Sequence, residues 1–267
     1  MSIKDSQELL LVSEFTASLE TALAQNPTAE IFPFDYEGKR VWVKRARKTG
    51  SNLFHKLVYA WSKNPILSPV EKKTASEALL FESSKLQNLK QMQIPVPKVL
   101  TVREDCFVIE DCGPTVHHLI KNKLTEEPQT LIKQTLQALA QLHKTKNYHG
   151  GSQIKNFTAK DDTIYFIDFE ESFSQDVALE DLQFRDLFLF LFSVSKLKIE
   201  VDYKKLIEEY VSLSGEKEIL TKFHALSNSV SWLMKLLQNK TVWKLVDRDT
   251  QSVYRLLKQF TPTKASS

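Results

Sequence analysis

Apolar residues recur every three or four positions at Leu9, Val12, Phe15, Leu19 and Leu23, a spacing that predicts a packing helix over 5–25, stopped at Asn26-Pro27. The period then shortens. Residues 31–36 and 40–46 bracket charged side chains with apolar ones around Glu37-Gly38, which predicts a β-hairpin. From 68 to 93 the pattern is helical again, with Pro69 in the first turn, Ala75, Leu79, Leu86 and Leu89 apolar, and Ile94-Pro95-Val96-Pro97 as terminator. Two strands are predicted at 99–102 and 106–110, leading into Asp111-Cys112-Gly113-Pro114 as a hinge. Past the hinge come an amphipathic helix over 130–144, a loop over 148–157, a strand over 163–169 turning at Asp161-Asp162, and helix from Leu179 onward. Strands with one helix precede helices with a small hairpin, so the chain is predicted to be α+β and bilobal. The expected division is a helical extension over 1–30, an N-lobe over 31–112 and a C-lobe over 113–267.

Composition narrows the function classes. With 42% hydrophobic residues the chain can bury a sizeable core, which excludes disorder as its ground state. The longest apolar block, 187–194, is far short of the ~20 residues a membrane-spanning helix needs, and is predicted to be a buried helix. Glu14 and Glu20 interrupt the first apolar run, unlike the core of a signal peptide, so the expected location is cytoplasmic. Cys106 and Cys112 lie in and just after one predicted strand, which fits reduced thiols rather than a disulfide framework. A net charge of +3 favours no polyanionic partner, and the basic run from Lys39 to Lys48 is expected to be a solvated strand edge, not a nucleic-acid surface.

The chemistry concentrates in His149-Gly150-Gly151-Ser152-Gln153-Ile154-Lys155-Asn156 and, twelve residues past that asparagine, in Ile167-Asp168-Phe169-Glu170. Asparagine and aspartate are hard oxygen donors of the kind that hold Mg²⁺ beside phosphate. The spacing matches H-x-D-x-x-x-x-N followed by D-F-G, except that Gly151 stands where the catalytic aspartate belongs. Together with V-W-V-K-R over 41–45, I-P-V-P over 94–97 and F-V-I-E-D over 107–111, the order resembles the protein-kinase-like superfamily, most closely its bacterial lipopolysaccharide core kinases, over residues 31–195.

That resemblance implies ATP and Mg²⁺ as cofactors and assigns roles. Lys44 would contact the α- and β-phosphates, Glu82 on the following helix would hold it, and Glu110 before the hinge would meet the nucleotide. Glu82 is preferred to Glu77 for its distance from the I-P-V-P terminator. Asn156 and Asp168 would be the metal ligands, with His149 and Asp186 as structural support for the loop; Asp181 competes for the last role, and a helix-opening acid is the plain alternative for Asp186. The implied activity is phosphoryl transfer to a hydroxyl acceptor, such as a lipopolysaccharide core sugar or a lipid-linked glycan; the alternative is a pseudokinase that binds nucleotide or a partner protein without catalysis. Glu170 is the candidate substitute base, with Glu171 also near in sequence. No glycine-rich loop precedes Lys44, which fits the lipopolysaccharide-kinase branch. Residues 53–63 mix aromatic, aliphatic and lysine side chains, as a packed insertion or as a helix touching the inner face of a membrane would.

Overall fold

The computed structural model describes residues 3–48 and 69–260, which fall into two compact units, one holding 3–48 and 72–112 and the other 69–71 and 113–260. The expectation for 53–63 therefore lies outside the described residues. The α+β, bilobal arrangement is present: a small antiparallel sheet in one unit and mainly helices in the other.

In the first unit, helix α1 (Ile3–Gln25) leads to strands β1 (Ile31–Tyr36) and β2 (Lys39–Arg45), then helix α2 (Ala75–Gln91) and strands β3 (Val99–Val102) and β4 (Cys106–Glu110). The sheet order is β1-β2-β4-β3, all neighbours antiparallel. Side chains alternate faces along a strand. Val41 and Val43 thus point into a core with Leu19, Ala22, Leu23, Phe32, Cys106 and Val108, while Trp42 and Lys44 take the other face. The hairpin turn is two residues, Glu37 and Gly38, both at positive φ (50° and 70°), the conformation that matches the twist of paired strands.

Two expectations change here. The basic run is no solvated edge, because β2 is an inner strand. Arg45 reaches back from it to the carbonyls of Leu23, Asn26 and Ala29, which ties down the end of α1. Helix α2 also starts at Ala75 rather than near Ser68: Thr74 and Glu77 form a reciprocal capping box that fixes the first turn. The signal, Thr followed three residues later by Glu, is in the sequence but was outweighed by Pro69. Burial pushes the Cys106 thiol up to about 11, so at pH 8 it should be inert to thiol-exchange reagents in the native state and react only with unfolding. Rapid labelling without denaturant would contradict that burial.

The second unit contains helices α3 (Val116–Lys121) and α4 (Pro128–Lys144), the hairpin β5 (Phe157–Lys160) and β6 (Thr163–Phe166), and helix α5 (Leu179–Ser195). It continues through α6 (Tyr203–Ser214), α7 (Ile219–Ser229), α8 (Ser231–Leu236), α9 (Lys240–Leu245) and α10 (Arg248–Leu257). Thr115 caps α3, a helix too short to leave a periodic signature. The strand predicted over 163–169 ends at Phe166, because the chain leaves the ladder and passes through Asp168 at φ 70°. Leu187, Phe190, Leu191 and Val194 make α5 the buried helix expected from its apolar block. Among the described residues no helix is long and apolar enough to cross a membrane.

Candidate functional site

Each unit carries its own group of candidate residues. In the first, strand alternation sends Lys44 toward α2, where its Nζ lies 2.7 Å from Glu82 Oε1. The pair is largely out of water, the lysine side chain 12% and the glutamate 5% exposed. Glu77, the other candidate, has its carboxylate held well below the usual range by the backbone and hydroxyl of Thr74, so it serves the cap. The Glu110 carboxylate accepts from Lys98 N at 2.8 Å and Lys90 Nζ at 3.2 Å. It fastens the segment after α2 to the end of β4, and the Glu110 N–H adds to the tie by donating to the Lys98 carbonyl at 3.0 Å.

In the second unit, one helix organises the 149–156 loop. Asp186 is fully buried: its Oδ2 accepts from His149 N at 2.6 Å, its Oδ1 from Gly150 N at 2.9 Å, and His143 Nε2 lies 3.3 Å from Oδ2. Burial by itself would raise this pKa, but His143, the nearby His149 ring and the His149 N–H together hold it below the ordinary aspartate value. Asp186 sits two turns inside α5, beyond reach of the helix-opening role, and Asp181 pairs instead with Lys222 at 2.8 Å. The same helix supplies Gln183 to the carbonyls of His143 and Asn147, Ser193 Oγ to Ile154 N, and the Asp186 carbonyl to Ser152. Arg185 donates to the Gly150 carbonyl, lies over the Phe173 ring and forms an ion pair with Glu171 at 3.0 Å.

His149 packs under the following segment. Its ring stacks on Phe169 at 4.4 Å, its Nδ1 accepts from Gly151 N and its Nε2 meets the Ile167 carbonyl at 3.0 Å. Both ring nitrogens are thereby used as a neutral imidazole would use them, which leaves no proton-transfer role. Asn156 donates Nδ2 to the Gly151 carbonyl at 2.7 Å, so the acceptor end of its amide is the end available to a cation. Asp168 and Glu170 bring carboxylate oxygens within 4.8 Å of one another. An amide oxygen and carboxylates are all-oxygen donors, and this set fits Mg²⁺. Asp168 holds its position at φ 70°, a conformation uncommon for non-glycine residues and concentrated at functional sites.

The carboxylate beside Gly151 belongs to Glu171, not to Glu170, the substitute base chosen from sequence. A Cβ built on Gly151 would meet Glu171 Oε1 at 3.4 Å and Cδ at 3.6 Å. Gly150, at φ 102°, allows the approach: its Cβ would lie 3.0 Å from that of Glu171 and 3.2 Å from the Glu171 carbonyl oxygen. Gly150→Ala combines positive φ with that crowding, and is expected to lower stability by about 2 kcal/mol or more in urea melts. A change under ~0.5 kcal/mol would show that the 170–173 segment can move away at no cost.

Arg185 and Glu171 are the participants that sequence spacing did not single out as a pair. Their only early signal was an acidic doublet at 170–171 and a basic residue next to a candidate aspartate.

The model of the RIO domain matches residues 37–189, more than half of the chain and the stretch that contains Lys44, Glu82, the 149–156 loop, Asp168 and Asp186. An uncharacterized protein of Haemophilus influenzae is 26% identical over 255 residues, which cover 94% of this chain and 98% of that protein.

Proposed function

Because the chain belongs to the RIO-domain family, an atypical branch of the protein-kinase-like superfamily, we propose that it binds ATP with Mg²⁺ and transfers the γ-phosphoryl group to a hydroxyl. The observation that carries this reading is the Lys44–Glu82 ion pair, a nearly buried lysine held by a helix carboxylate on the strand where kinase-like folds engage phosphates. Lys44 would neutralise the α- and β-phosphates. Asn156 and Asp168 would hold Mg²⁺, which bridges phosphate oxygens and offsets their charge. The work of these residues is positioning and charge neutralisation, and the buried Asp186 network supplies the rigidity it needs.

The proposal extends to an envelope acceptor, a lipopolysaccharide core sugar or lipid-linked glycan reached from the inner face of the membrane. What supports it is the lid: the β1–β2 turn has two residues and no glycine-rich loop, as in that branch. A second reading, a pseudokinase, is favoured by one observation, the glycine at 151.

Thermal melts and calorimetry with Mg-ADP and Mg-ATP test the binding step. Wild type should be stabilised by both. Lys44→Met and Asp168→Asn should each weaken binding about 10–100-fold, the affinity equivalent of one charge-assisted contact worth about 1.5–3 kcal/mol. Unchanged affinity in both variants would remove the assignment.

A further inference from the structure

Gly151 and Glu171 are two halves of one substitution. In the kinase-like loop an aspartate at position 151 would send its carboxyl group one bond beyond Cβ. In this chain the Glu171 carboxyl lies 3.4–3.6 Å from where the Cβ would be, in direct contact with it, and Asn156 Nδ2 lies 3.7 Å from the same point. We infer that Glu171 is the general base of this protein, its carboxylate delivered by the segment after β6 to the place an aspartate at 151 would fill. The inference rests on the kinase-like reading of the same site, and it answers the objection that Gly151 raises against catalysis.

Four features of the chain fit together around that carboxylate. A glycine at 151 leaves the Glu171 carboxyl without a neighbouring side chain there, and an aspartate extending toward it from that Cβ would meet it. Gly150 lets the Glu171 backbone approach within contact distance. Arg185, with its side chain only 8% exposed, is tied to the Gly150 carbonyl and fixes Glu171 by an ion pair, while Glu171 itself stays 31% exposed and reachable. Its Oε2 is shielded from water and lies 3.0 Å from Arg185 Nη2. Glu170 sits instead beside Asp168, where it suits the metal.

The step balances with ATP as phosphoryl donor. The acceptor oxygen forms a bond to the γ-phosphorus, and the bond from that phosphorus to the β,γ-bridging oxygen breaks with its electron pair leaving on ADP. The hydroxyl proton passes to Glu171 and then to water.

The test uses the full chain, with Mg-ADP binding, melting temperature and ADP release from Mg-ATP as readouts. Glu171→Gln should bind Mg-ADP as wild type does while ADP release falls about 10²–10⁴-fold, the usual share of general-base help. Gly151→Asp alone should lower the melting temperature, since two carboxylates then compete for one place. Gly151→Asp with Glu171→Ala should melt higher than the sum of the single changes predicts, and should recover at least about tenfold in ADP release over Glu171→Ala. Additive melting shifts, wild-type ADP release by Glu171→Gln, or nucleotide binding by wild type with no ADP release would each overturn the inference. Absence of Mg-nucleotide binding by wild type is a separate failure, that of the kinase-like reading, and the base falls with it.

Discussion

Asp186→Ala is expected to cost about 3–5 kcal/mol of folding stability, the range for removing one partner from a buried, hydrogen-bonded ionic group. The carboxylate accepts two backbone N–H groups and faces His143, all away from water. Without it, the His149 and Gly150 donors lose their acceptor at about 1–3 kcal/mol each. Asp186→Asn should recover little, because an amide that turns its oxygen to one N–H must turn its NH₂ to the other. The pH dependence separates the charge from the shape. The folded pKa of Asp186 is lowered, so its contribution is fully present above the unfolded value near 3.8 and is lost as pH falls through the folded value. Urea melts of wild type and Asp186→Asn should therefore differ most at pH 5–7 and converge as pH falls below about 3.8. A difference that stays constant down to pH 2.5 would mean that the side chain acts by shape alone.

Burial acts to raise the pKa of both Asp186 and Glu171, and their neighbours decide the outcome. Asp186 is surrounded by donors, whereas Glu171 is buried with one cation and two acidic neighbours. Periodicity revealed the elements that carry these groups: the alternation that buries Val41 and Val43 also predicts that Lys44 leaves the opposite face. Loop spacing likewise revealed His149, Asn156 and Asp168 as a set. What sequence could not show was contact at long range. Arg185 meets Gly150 across 35 positions, and Glu171 meets Gly151 through a turn whose path depends on Asp168 and Gly150 at positive φ. Neither contact has a period, so an acidic doublet could be read only as two neighbouring carboxylates. The helix of Asp186 starts at Leu179 as periodicity predicts, but the two backbone N–H groups its carboxylate accepts, those of His149 and Gly150, lie 37 and 36 positions away.

Lys44 and Glu82 should separate stability from binding. Lys44→Met removes the cation 2.7 Å from a carboxylate that is 5% exposed, and a loss of about 3–5 kcal/mol is expected. Glu82→Leu should cost a similar amount by stranding the lysine. The double change Lys44→Met with Glu82→Leu should regain most of the loss, because a buried ion pair exchanged for apolar groups of similar volume is often neutral or better. Nucleotide binding should follow a different order: all three variants bind more weakly, the double variant included, since apolar packing cannot meet a phosphate. A double variant that is as stable as wild type and binds Mg-ADP more weakly would show that the pair is kept for the ligand rather than for the fold. Recovery of binding alongside stability would instead make the pair a packing element, and the phosphate contact would have to come from elsewhere in the chain.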